Sequence, residues 1–417
     1  MSTIHVIGGR KLEGKLNIQG SKNAALPILA ATLMTEGVNV IENCPQISDV
    51  EEMLEILREL GCQVWTEHEK LYITAPGHLK DEIDSTHISS MRSSVVLLGI
   101  LLSENGAVCM EYPGGCVIGT RPVDLHIFGL EKMGCHFEQS QTRLCARTKG
   151  LKGGEISLKF PSVGATENLI LAAVKAKGHT TILGAAKEPE IIHLCRFLNK
   201  CGAKISGEGS GCIRIEGVRR LQACSYKIPA DRIVAGTYAM CALATGGKVF
   251  LKNAPVSEME SVLMVLKKMG ATVKYDKCGL FISREAELLP ECVTTDVYPG
   301  FPTDLQSPLV VLMTKTAGKS KITETIYENR FHIIEELRKM NACLKVENNE
   351  VVIKGPVNLS AACVRAKELR GNAALIMAGL MADGETEISD CHYIKRGYED
   401  ICRDLRNLGA VIYEKEE

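Results

Sequence analysis

Apolar and polar positions along this chain follow a pattern that occurs six times. Each copy begins with an apolar run at helical spacing, followed by a glycine, a short β-rich run, a loop and a second, amphipathic run. A glycine or asparagine then leads into another strand-like run. Helical runs that alternate with strand-like runs indicate an α/β protein built from six similar units.

Two small residues mark each copy. The first is a glycine after the apolar run, at Gly37, Gly106, Gly178, Gly247, Gly318 and Gly384. The second follows the amphipathic run at intervals of 73, 68, 68, 71 and 68 residues, at Gly61, Gly134, Gly202, Gly270, Asn341 and Gly409. Helices often end before a left-handed residue, which glycine adopts freely and asparagine tolerates. The second marker therefore predicts a helix end in every copy.

The lengths of the chain and of the repeat bear on the number of domains. A chain of 417 residues suggests two or three domains. Units of this length are long for a solenoid, and neither end carries a polar capping unit. We therefore expect closed globular domains of three units each, with a hinge between Tyr226 and Asp231.

Composition narrows the class of protein. The net charge is −1, from 49 basic and 50 acidic residues, which argues against a general nucleic-acid or membrane-surface binder. No apolar run is long enough to span a bilayer and no leader is evident, so we expect a cytoplasmic protein. Seventeen cysteines without zinc-ribbon or Cys-x-x-Cys spacing favour reduced thiols. No phosphate-binding loop, dinucleotide fingerprint or metal motif is present, and we predict neither cofactor nor metal.

One loop carries candidate chemistry, the stretch Pro-Gly-Gly-Cys-Val-Ile-Gly-Thr-Arg-Pro-Val-Asp-Leu-His from Pro113 to His126. Its glycines allow close approach of the backbone to a ligand, and its prolines limit flexibility. Cys116 is a candidate nucleophile or acid, and Arg121 is placed to tune that thiol or to hold an anionic substrate. The alternative is a structural cysteine in a tight turn.

Basic residues stand at the expected starts of several first helices. The starts are expected near Lys22, Arg92, Thr166, Arg232, Gln306 and Gly371. Lys22, Arg92, Arg232 and Arg370 would oppose the helix dipole at a cost of about 0.3–1 kcal/mol each. An anionic ligand held at these helix ends would offset the cost, although each side chain could equally extend into water. Asp304 precedes the fifth helix and is either a helix cap or part of a held functional loop.

These residues together resemble the UDP-N-acetylglucosamine enolpyruvyl transferase family. The resemblance covers almost the whole chain, through Gly20–Pro27, the cysteine loop, Pro161–Thr166, Glu188–Glu190, Phe301–Asp304, Glu328–Phe331 and Arg396–Tyr398. It implies an inside-out α/β barrel of six pseudo-symmetric βαβαββ units in two domains. These would be residues 21–229 and residues 1–20 plus 230–417, with the active site in the cleft between them.

The resemblance also implies a reaction and the residues that perform it. Enolpyruvyl transfer from phosphoenolpyruvate to the 3′-hydroxyl of UDP-N-acetylglucosamine would use Cys116 as general acid, Asp304 as general base and Lys22. Phosphoenolpyruvate would bind Lys22, Asn23, Arg121, Arg370 and Arg396. The UDP-sugar would bind Arg92, Arg121, Pro122, Val123, Asp124, Leu125, Ser162, Val163, Asp304 and Ile326. These small molecules are the expected partners; the oligomeric state is left open.

Three positions depart from the family pattern, namely Val234, Glu368 and Phe160. They bear on the subfamily, including whether this is a primary enzyme or a second paralogue, and not on the reaction. Two alternatives stand beside the main interpretation. A transferase acting on shikimate 3-phosphate is disfavoured by Cys116, and a silent nucleotide-sugar binding protein is disfavoured because the catalytic set is retained together.

Overall fold

The computed structural model describes residues 2–80, 82–83, 91–112, 119, 122–140, 142–365 and 367–416, with the backbone alone at 82, 83, 139 and 416. Cys116 and Arg121 therefore lie outside the described residues. The described chain forms two compact units. The first unit runs from Gly20 to Pro229, and the second holds the residues up to Gln19 and those from Ala230 onward, together with Gly119.

The described part of the first unit contains six α-helices, two for each copy of the sequence pattern. They are α1 (Lys22–Ala31), α2 (Ser48–Glu59), α3 (Leu97–Glu104), α4 (Asp124–Lys132), α5 (Val163–Ala173) and α6 (Pro189–Lys200). Short 3-10 helices cover Thr32–Met34 and Arg92–Val96. The first helix of each pair is almost wholly buried, and most of its residues are apolar.

The second unit repeats this arrangement over its described residues. Its helices are α7 (Arg232–Ala244), α8 (Glu260–Lys268), α9 (Gln306–Met313), α10 (Ile333–Lys339), α11 (Leu369–Met381) and α12 (Ile401–Asn407). Short 3-10 helices cover Val256–Glu258, Thr303–Leu305 and Cys391–Arg396. The predicted helix starts at Lys22, Arg232 and Gln306 are confirmed.

Two predicted helix starts were wrong by a few residues. The third first helix begins at Val163 rather than Thr166, because Ser162 caps it. The sixth begins at Leu369 rather than Gly371, because Glu368 caps it. Near Arg92 the chain first forms a 3-10 turn and then continues into α3 at Leu97.

Three four-stranded sheets lie within the described part of the first unit. The first contains β16 (Ser225–Lys227), β4 (Val38–Glu42), β6 (Lys70–Thr74) and β5 (Gln63–Glu67). The second contains β7 (Glu82–Ile83), β8 (Ala107–Glu111), β10 (Arg143–Arg147) and β9 (His136–Gln139). The third contains β11 (Glu155–Ser157), β12 (His179–Leu183), β14 (Cys212–Glu216) and β13 (Lys204–Ser206). A short parallel pair joins β3 (Thr35–Glu36) to β15 (Leu221–Gln222).

Three further four-stranded sheets lie within the described part of the second unit. The fourth contains β2 (Glu13–Asn17), β17 (Lys248–Lys252), β19 (Gly279–Ser283) and β18 (Thr272–Asp276). The fifth contains β20 (Cys292–Thr294), β21 (Gly318–Thr323), β23 (Glu350–Gly355) and β22 (Cys343–Glu347). The sixth contains β24 (Cys363–Arg365), β25 (Glu385–Ser389), β1 (Ser2–Ile7) and β26 (Val411–Glu416).

The six sheets share one pairing pattern. In each, the first edge strand runs parallel to its neighbour and the next two pairings are antiparallel. The start of the chain takes part in two sheets of the second unit. β1 pairs with β25 and β26, and β2 pairs with β17, so the residues up to Gln19 are built into that unit.

The predicted helix ends are confirmed at the second marker. Backbone φ is positive at all six marker residues, from 66° at Asn341 to 103° at Gly202. At the first marker the fourth copy differs, because Gly246 and not Gly247 has the positive φ. Gly247 is required for another reason: a Cβ there would lie 2.0 Å from the Leu12 carbonyl oxygen, so only glycine lets these two backbone segments meet.

Each unit has its own apolar core, formed mainly by the first helix of each copy and the inner faces of the sheets. The expectation of reduced thiols was wrong for one pair, because the structure joins the sulfurs of Cys109 and Cys145 across β8 and β10. Among the helices in the described ranges, none has the length and apolar character needed to cross a membrane.

Candidate active site

Asp304 lies between two buried arginines in the second unit. Its Oδ1 atom accepts a hydrogen bond from Arg330 at 2.8 Å, and its Oδ2 atom accepts one from Arg370 at 2.8 Å. The side chains of Arg330 and Arg370 are 2% and 6% exposed, whereas that of Asp304 is 28% exposed. One guanidinium on each oxygen fixes the plane of the carboxylate and leaves it reachable from solvent.

The position of Asp304 in the chain bears on one of its two predicted roles, that of a helix cap. It is the middle residue of the 3-10 helix Thr303–Leu305, and the residues at the capping positions of this turn and of α9 are Pro302 and Leu305. The alternative of a simple helix cap is therefore wrong. Its carboxylate instead belongs to a charged cluster with Arg330 and Arg370.

A buried glutamate connects this cluster to the loop that follows β21. Glu324 accepts hydrogen bonds from the Thr303 hydroxyl at 3.0 Å and from the backbone N–H groups of Ile326 and Tyr327 at 2.8 and 3.2 Å. Because Thr303 precedes Asp304, these bonds hold the Ile326 loop beside the carboxylate. Ile326, a predicted sugar-site residue, is partly buried there.

Arg370 is the second residue of α11, and Glu368 caps that helix. The Glu368 carboxylate accepts the N–H groups of Arg370 at 2.7 Å and Gly371 at 2.5 Å. Burial alone would lower the pKa of the Arg370 guanidinium, but the charge of Asp304 and the nearby Tyr398 and Asp231 raise it above its ordinary value. The guanidinium is therefore a permanent cation.

Arg396 ends the 3-10 helix Cys391–Arg396 and is partly buried. The residues after it are firmly held. The Tyr398 hydroxyl donates to Thr237 at 2.9 Å, and Gln19 donates to the Gly397 carbonyl at 3.2 Å. This anchoring limits where the Arg396 side chain can reach.

The first unit carries Lys22 and Asn23 at the start of α1. Lys22 Nζ lies 2.5 Å from Asp49 Oδ2, and the Asp49 side chain is 3% exposed. Ser21 caps the helix by accepting the N–H of Ala24 at 3.4 Å. The cost of a cation at this helix start is thus offset within the chain, as it is for Arg370 by Asp304.

The predicted sugar-site residues of the first unit lie at three helix starts. Arg92 begins the 3-10 turn before α3, Ser162 caps α5 with Val163 as its first residue, and Pro122 to Leu125 lead into α4. Within the last segment Val123 is buried, whereas Pro122 and Asp124 are exposed.

A buried polar contact joins α4 to α5. His126 and Asn168 meet at 3.0 Å, and Asn168 also bonds the backbone of Val95 at 2.9 Å and Gly99 at 2.6 Å. The histidine that ends the cysteine-loop motif therefore has a structural role.

Glu167 lies one turn into α5 and is 7% exposed. Burial, followed by the charges of Glu190 and Glu188, raises the pKa of this carboxyl well above its ordinary value. Glu188 and Glu190 flank the first residue of α6, so the motif Glu188–Glu190 places two carboxyl groups close to a third. The sequence alone predicted no function for this motif.

The structure brings Asp304 and Arg370 together, and it adds Arg330 and Glu324, which the sequence analysis did not assign. The signal for Arg330 was present, because it lies in the quoted motif Glu328–Phe331 and a buried arginine requires an acidic partner. Of the departures, Val234 is buried in α7, Phe160 is 45% exposed, and Glu368 caps α11.

Comparisons with known proteins show which family the chain belongs to. The family model EPSP synthase (3-phosphoshikimate 1-carboxyvinyltransferase) matches residues 6–405. The UDP-N-acetylglucosamine 1-carboxyvinyltransferase 2 of Caldanaerobacter subterraneus is 43% identical and covers 99% of each chain. The UDP-N-acetylglucosamine 1-carboxyvinyltransferase 1 of Halalkalibacterium halodurans is 41% identical over 99% of this chain and 94% of its own. The protein of the same name from Symbiobacterium thermophilum is 44% identical over 98% of this chain and 94% of its own.

Solved structures show the same fold. The enolpyruvyl transferase NikO from Streptomyces tendae has a TM-score of 0.90 at 22% identity, over 99% of this chain and 98% of its own. EPSP synthase from Acinetobacter baumannii has a TM-score of 0.77 at 19% identity over the full length of both. The expected α/β fold and family resemblance are confirmed. The chain therefore belongs to the EPSP synthase family and, within it, to the UDP-N-acetylglucosamine 1-carboxyvinyltransferases.

Proposed function

We propose that this protein transfers the enolpyruvyl group of phosphoenolpyruvate to the 3′-hydroxyl of UDP-N-acetylglucosamine and releases phosphate, the first committed step of peptidoglycan precursor synthesis. The observation that carries the proposal is the full-length similarity, at 41–44% identity, to three relatives with that name. The carboxylate of Asp304, oriented by two arginines and open to solvent, supports it independently of the names.

The reaction adds the sugar hydroxyl across the enol double bond and then eliminates phosphate. A general acid must protonate the methylene carbon, and we assign that role to Cys116, which lies outside the described residues. A general base must take the hydroxyl proton as the new C–O bond forms, and we assign that role to Asp304. Its Oδ atoms each accept a hydrogen bond from a guanidinium, which orients the carboxylate, and 28% of the side chain is exposed to an approaching hydroxyl.

The donor substrate carries a carboxylate and a phosphate, and the proposed ligands are cations. Lys22, Asn23, Arg121, Arg370 and Arg396 would bind it. Arg370 donates to Asp304 in this structure, yet a guanidinium has five N–H donors, so it can hold Asp304 and a substrate carboxylate at once. The UDP-sugar would contact Arg92, Arg121, Pro122, Val123, Asp124, Leu125, Ser162, Val163, Asp304 and Ile326.

We infer a division of the chain into two domains, each of which supplies some of the proposed site residues. Residues 21–229, and residues 1–20 with 230–417, would be the two domains of an inside-out α/β barrel, each with three pseudo-symmetric units. The shared pairing pattern of the sheets and the paired helices support this inference. Both domains would supply residues to one reaction, in the cytoplasm.

Phosphate release tests the proposal directly. With both substrates, purified enzyme should release one phosphate per enolpyruvyl-UDP-sugar formed, as followed by a coupled phosphate assay and mass spectrometry. Cys116→Ala should abolish turnover, whereas Cys116→Asp should keep some, because a carboxylic acid can also deliver a proton. Full activity of the alanine variant would remove Cys116 from the mechanism.

The same assay separates the alternatives. With phosphoenolpyruvate and shikimate 3-phosphate in place of the UDP-sugar, no phosphate should be released. Phosphate release with shikimate 3-phosphate and not with the UDP-sugar would identify the other transferase class. UDP-sugar binding without phosphate release would identify a silent nucleotide-sugar binding protein. Either result would overturn the proposed reaction.

A further inference from the structure

Two thiols in the first unit lie in contact, and neither is among the proposed active-site residues. Cys201 Sγ donates a hydrogen bond to Cys224 Sγ at 3.5 Å. Cys201 caps the C-terminal end of α6, and Cys224 lies between β15 and β16. Cys201 is 2% exposed and Cys224 is partly exposed, so solvent reaches one sulfur of the pair and not the other.

The backbones that carry these thiols are already joined. The Cys201 carbonyl accepts the N–H of Gln222 at 2.8 Å, and Lys200 Nζ donates to the Ser225 carbonyl at 2.6 Å. Cys224 itself is held by β4, since its N–H donates to Asn39 at 3.3 Å. Only a small movement of the side chains is needed to bring two sulfurs within bonding distance in such a framework.

The two thiols differ in reactivity. The hydrogen bond from Cys201, together with the charge of Lys200, lowers the pKa of the Cys224 thiol despite its partial burial. Donating that bond, with burial second, raises the pKa of Cys201. Cys224 is therefore the more acidic and more exposed thiol of the pair and the one that meets an oxidant, and Cys201 is the second thiol beside it.

We propose that Cys201 and Cys224 form a peroxide-sensitive dithiol that closes reversibly to a disulfide. The Cys224 thiolate attacks one oxygen of a hydroperoxide; the O–O bond breaks, the sulfur becomes a sulfenic acid and the other oxygen leaves as hydroxide or alkoxide. The Cys201 sulfur then attacks the Cys224 sulfur. The S–O bond breaks, an S–S bond forms, and the hydroxyl leaves as water with the Cys201 proton.

The position of the pair determines what the disulfide does. The chain leaves β16 at Lys227 and passes through Pro229 into the second unit at Ala230. A bond between Cys201 and Cys224 therefore fastens the segment that joins the units to the end of α6. Oxidation restricts that segment, and a dithiol reductant releases it.

Peptide mapping of the full-length protein tests the proposal. After brief treatment with hydrogen peroxide, free thiols are alkylated and the protein is cut with trypsin without reduction. Trypsin yields residues 201–204 and 221–227, each with one cysteine, and they should appear as one linked peptide. Cys212, a free and partly exposed thiol of the same unit, is the control. The fraction of Cys212 that can still be alkylated should fall about ten-fold more slowly with time in peroxide.

Two variants separate the chemical steps. Cys201→Ser should trap Cys224 as a sulfenic acid that dimedone labels, and Cys224→Ser should leave Cys201 fully alkylated. Thermal unfolding in reductant checks that both variants fold. In the oxidised wild type, amides of residues 222–228 should exchange more slowly than in the reduced protein. Intact alkylation of both thiols under conditions that oxidise Cys212, or linkage of Cys224 to another cysteine, would overturn the proposal.

Discussion

Two carboxyl side chains, Asp304 and Glu167, one in each unit, lie in opposite electrostatic surroundings. Asp304 in the second unit accepts one hydrogen bond from each of two buried guanidiniums and is 28% exposed. Glu167 in the first unit is 7% exposed, and its strongest charged neighbours are two further glutamates. The first arrangement places positive charge around a reachable carboxylate; the second places a buried carboxyl group beside negative charges, which raises its pKa.

The difference shows what burial means for function. A carboxylate that is to accept a proton from a substrate must be ionised, fixed in direction and open on one side. Asp304 is fixed by two guanidiniums and 28% exposed, whereas Glu167 is closed to solvent and its raised pKa disfavours the ionised form. The surrounding charges, and not the residue type, decide the role.

The largest effect is expected from Asp304→Asn. The amide keeps the shape of the carboxylate but cannot accept the hydroxyl proton, so turnover should fall by about 10²–10⁴-fold. UDP-sugar affinity, measured by calorimetry, should change far less. Asp296→Asn is the matched control, because Asp296 is exposed in the preceding loop and, among the described hydrogen bonds, its carboxylate accepts only the N–H of Val297. Turnover within a factor of two of wild type would exclude Asp304 as the base.

Stability should respond to the arginines that hold Asp304. Arg330→Met removes a charged hydrogen-bond donor to Asp304, and such a bond contributes about 1.5–3 kcal/mol to the free energy of unfolding. Arg370 remains as a partner, so the loss should stay within this range. Urea unfolding measures it. Arg58→Met, at an exposed i,i+3 pair, should cost less than about 0.5 kcal/mol, and equal losses would contradict a special role for Arg330.

Local signals in the sequence predicted much of the fold. All six residues of the second marker have a positive φ, including Asn341. A helix end imposes this local backbone requirement, and the residue type reveals it. Predictions at longer range were less complete. Asp304 and Arg370 were both proposed, but nothing in the spacing of residues 66 apart shows that they touch.

Residues whose role depends on a distant partner were missed. Arg330 was quoted within a motif and received no role, because its function becomes visible only when Asp304 and Thr303 are seen beside it. For the cation at the start of α1, the sequence left open a bound anion or a side chain in water, and the structure shows a partner within the chain, Asp49. Sequence patterns predict local backbone conformation well, and they predict contacts between side chains that are distant in the chain poorly.

The unfavourable surroundings of Glu167 should appear as pH dependence. Its pKa is raised in the folded state, so between the ordinary glutamate pKa and the folded value the unfolded chain has lost the proton that the folded chain keeps. Stability therefore falls as pH rises through this window and is unaffected below it. Glu167→Gln should raise the melting temperature at pH 8 by a few degrees and change it little at pH 4.

The control for this experiment is Glu51→Gln, on the exposed side of α2, where the charge is already in water. Its melting temperature should follow that of wild type at both pH values. If Glu167→Gln were equally indifferent to pH, the ionised form of Glu167 would have to be stabilised in the folded protein, and the contrast with Asp304 would disappear.

The smallest effect on stability is expected from removing the N-caps of two helices, one beside Asp304 and one that contains Glu167. Glu368 caps α11, which bears Arg370, with acceptor distances of 2.7 and 2.5 Å, whereas Ser162 caps α5, which bears Glu167, at 3.4 Å. Loss of a cap costs about 0.5–2 kcal/mol, and the charged acceptor with two short bonds should lie at the upper end. Glu368→Ala should therefore destabilise the protein more than Ser162→Ala in urea unfolding. Glu368→Asp keeps a carboxylate at the cap and should lose little; if it lost as much as Glu368→Ala, the role of Glu368 would be packing and not capping.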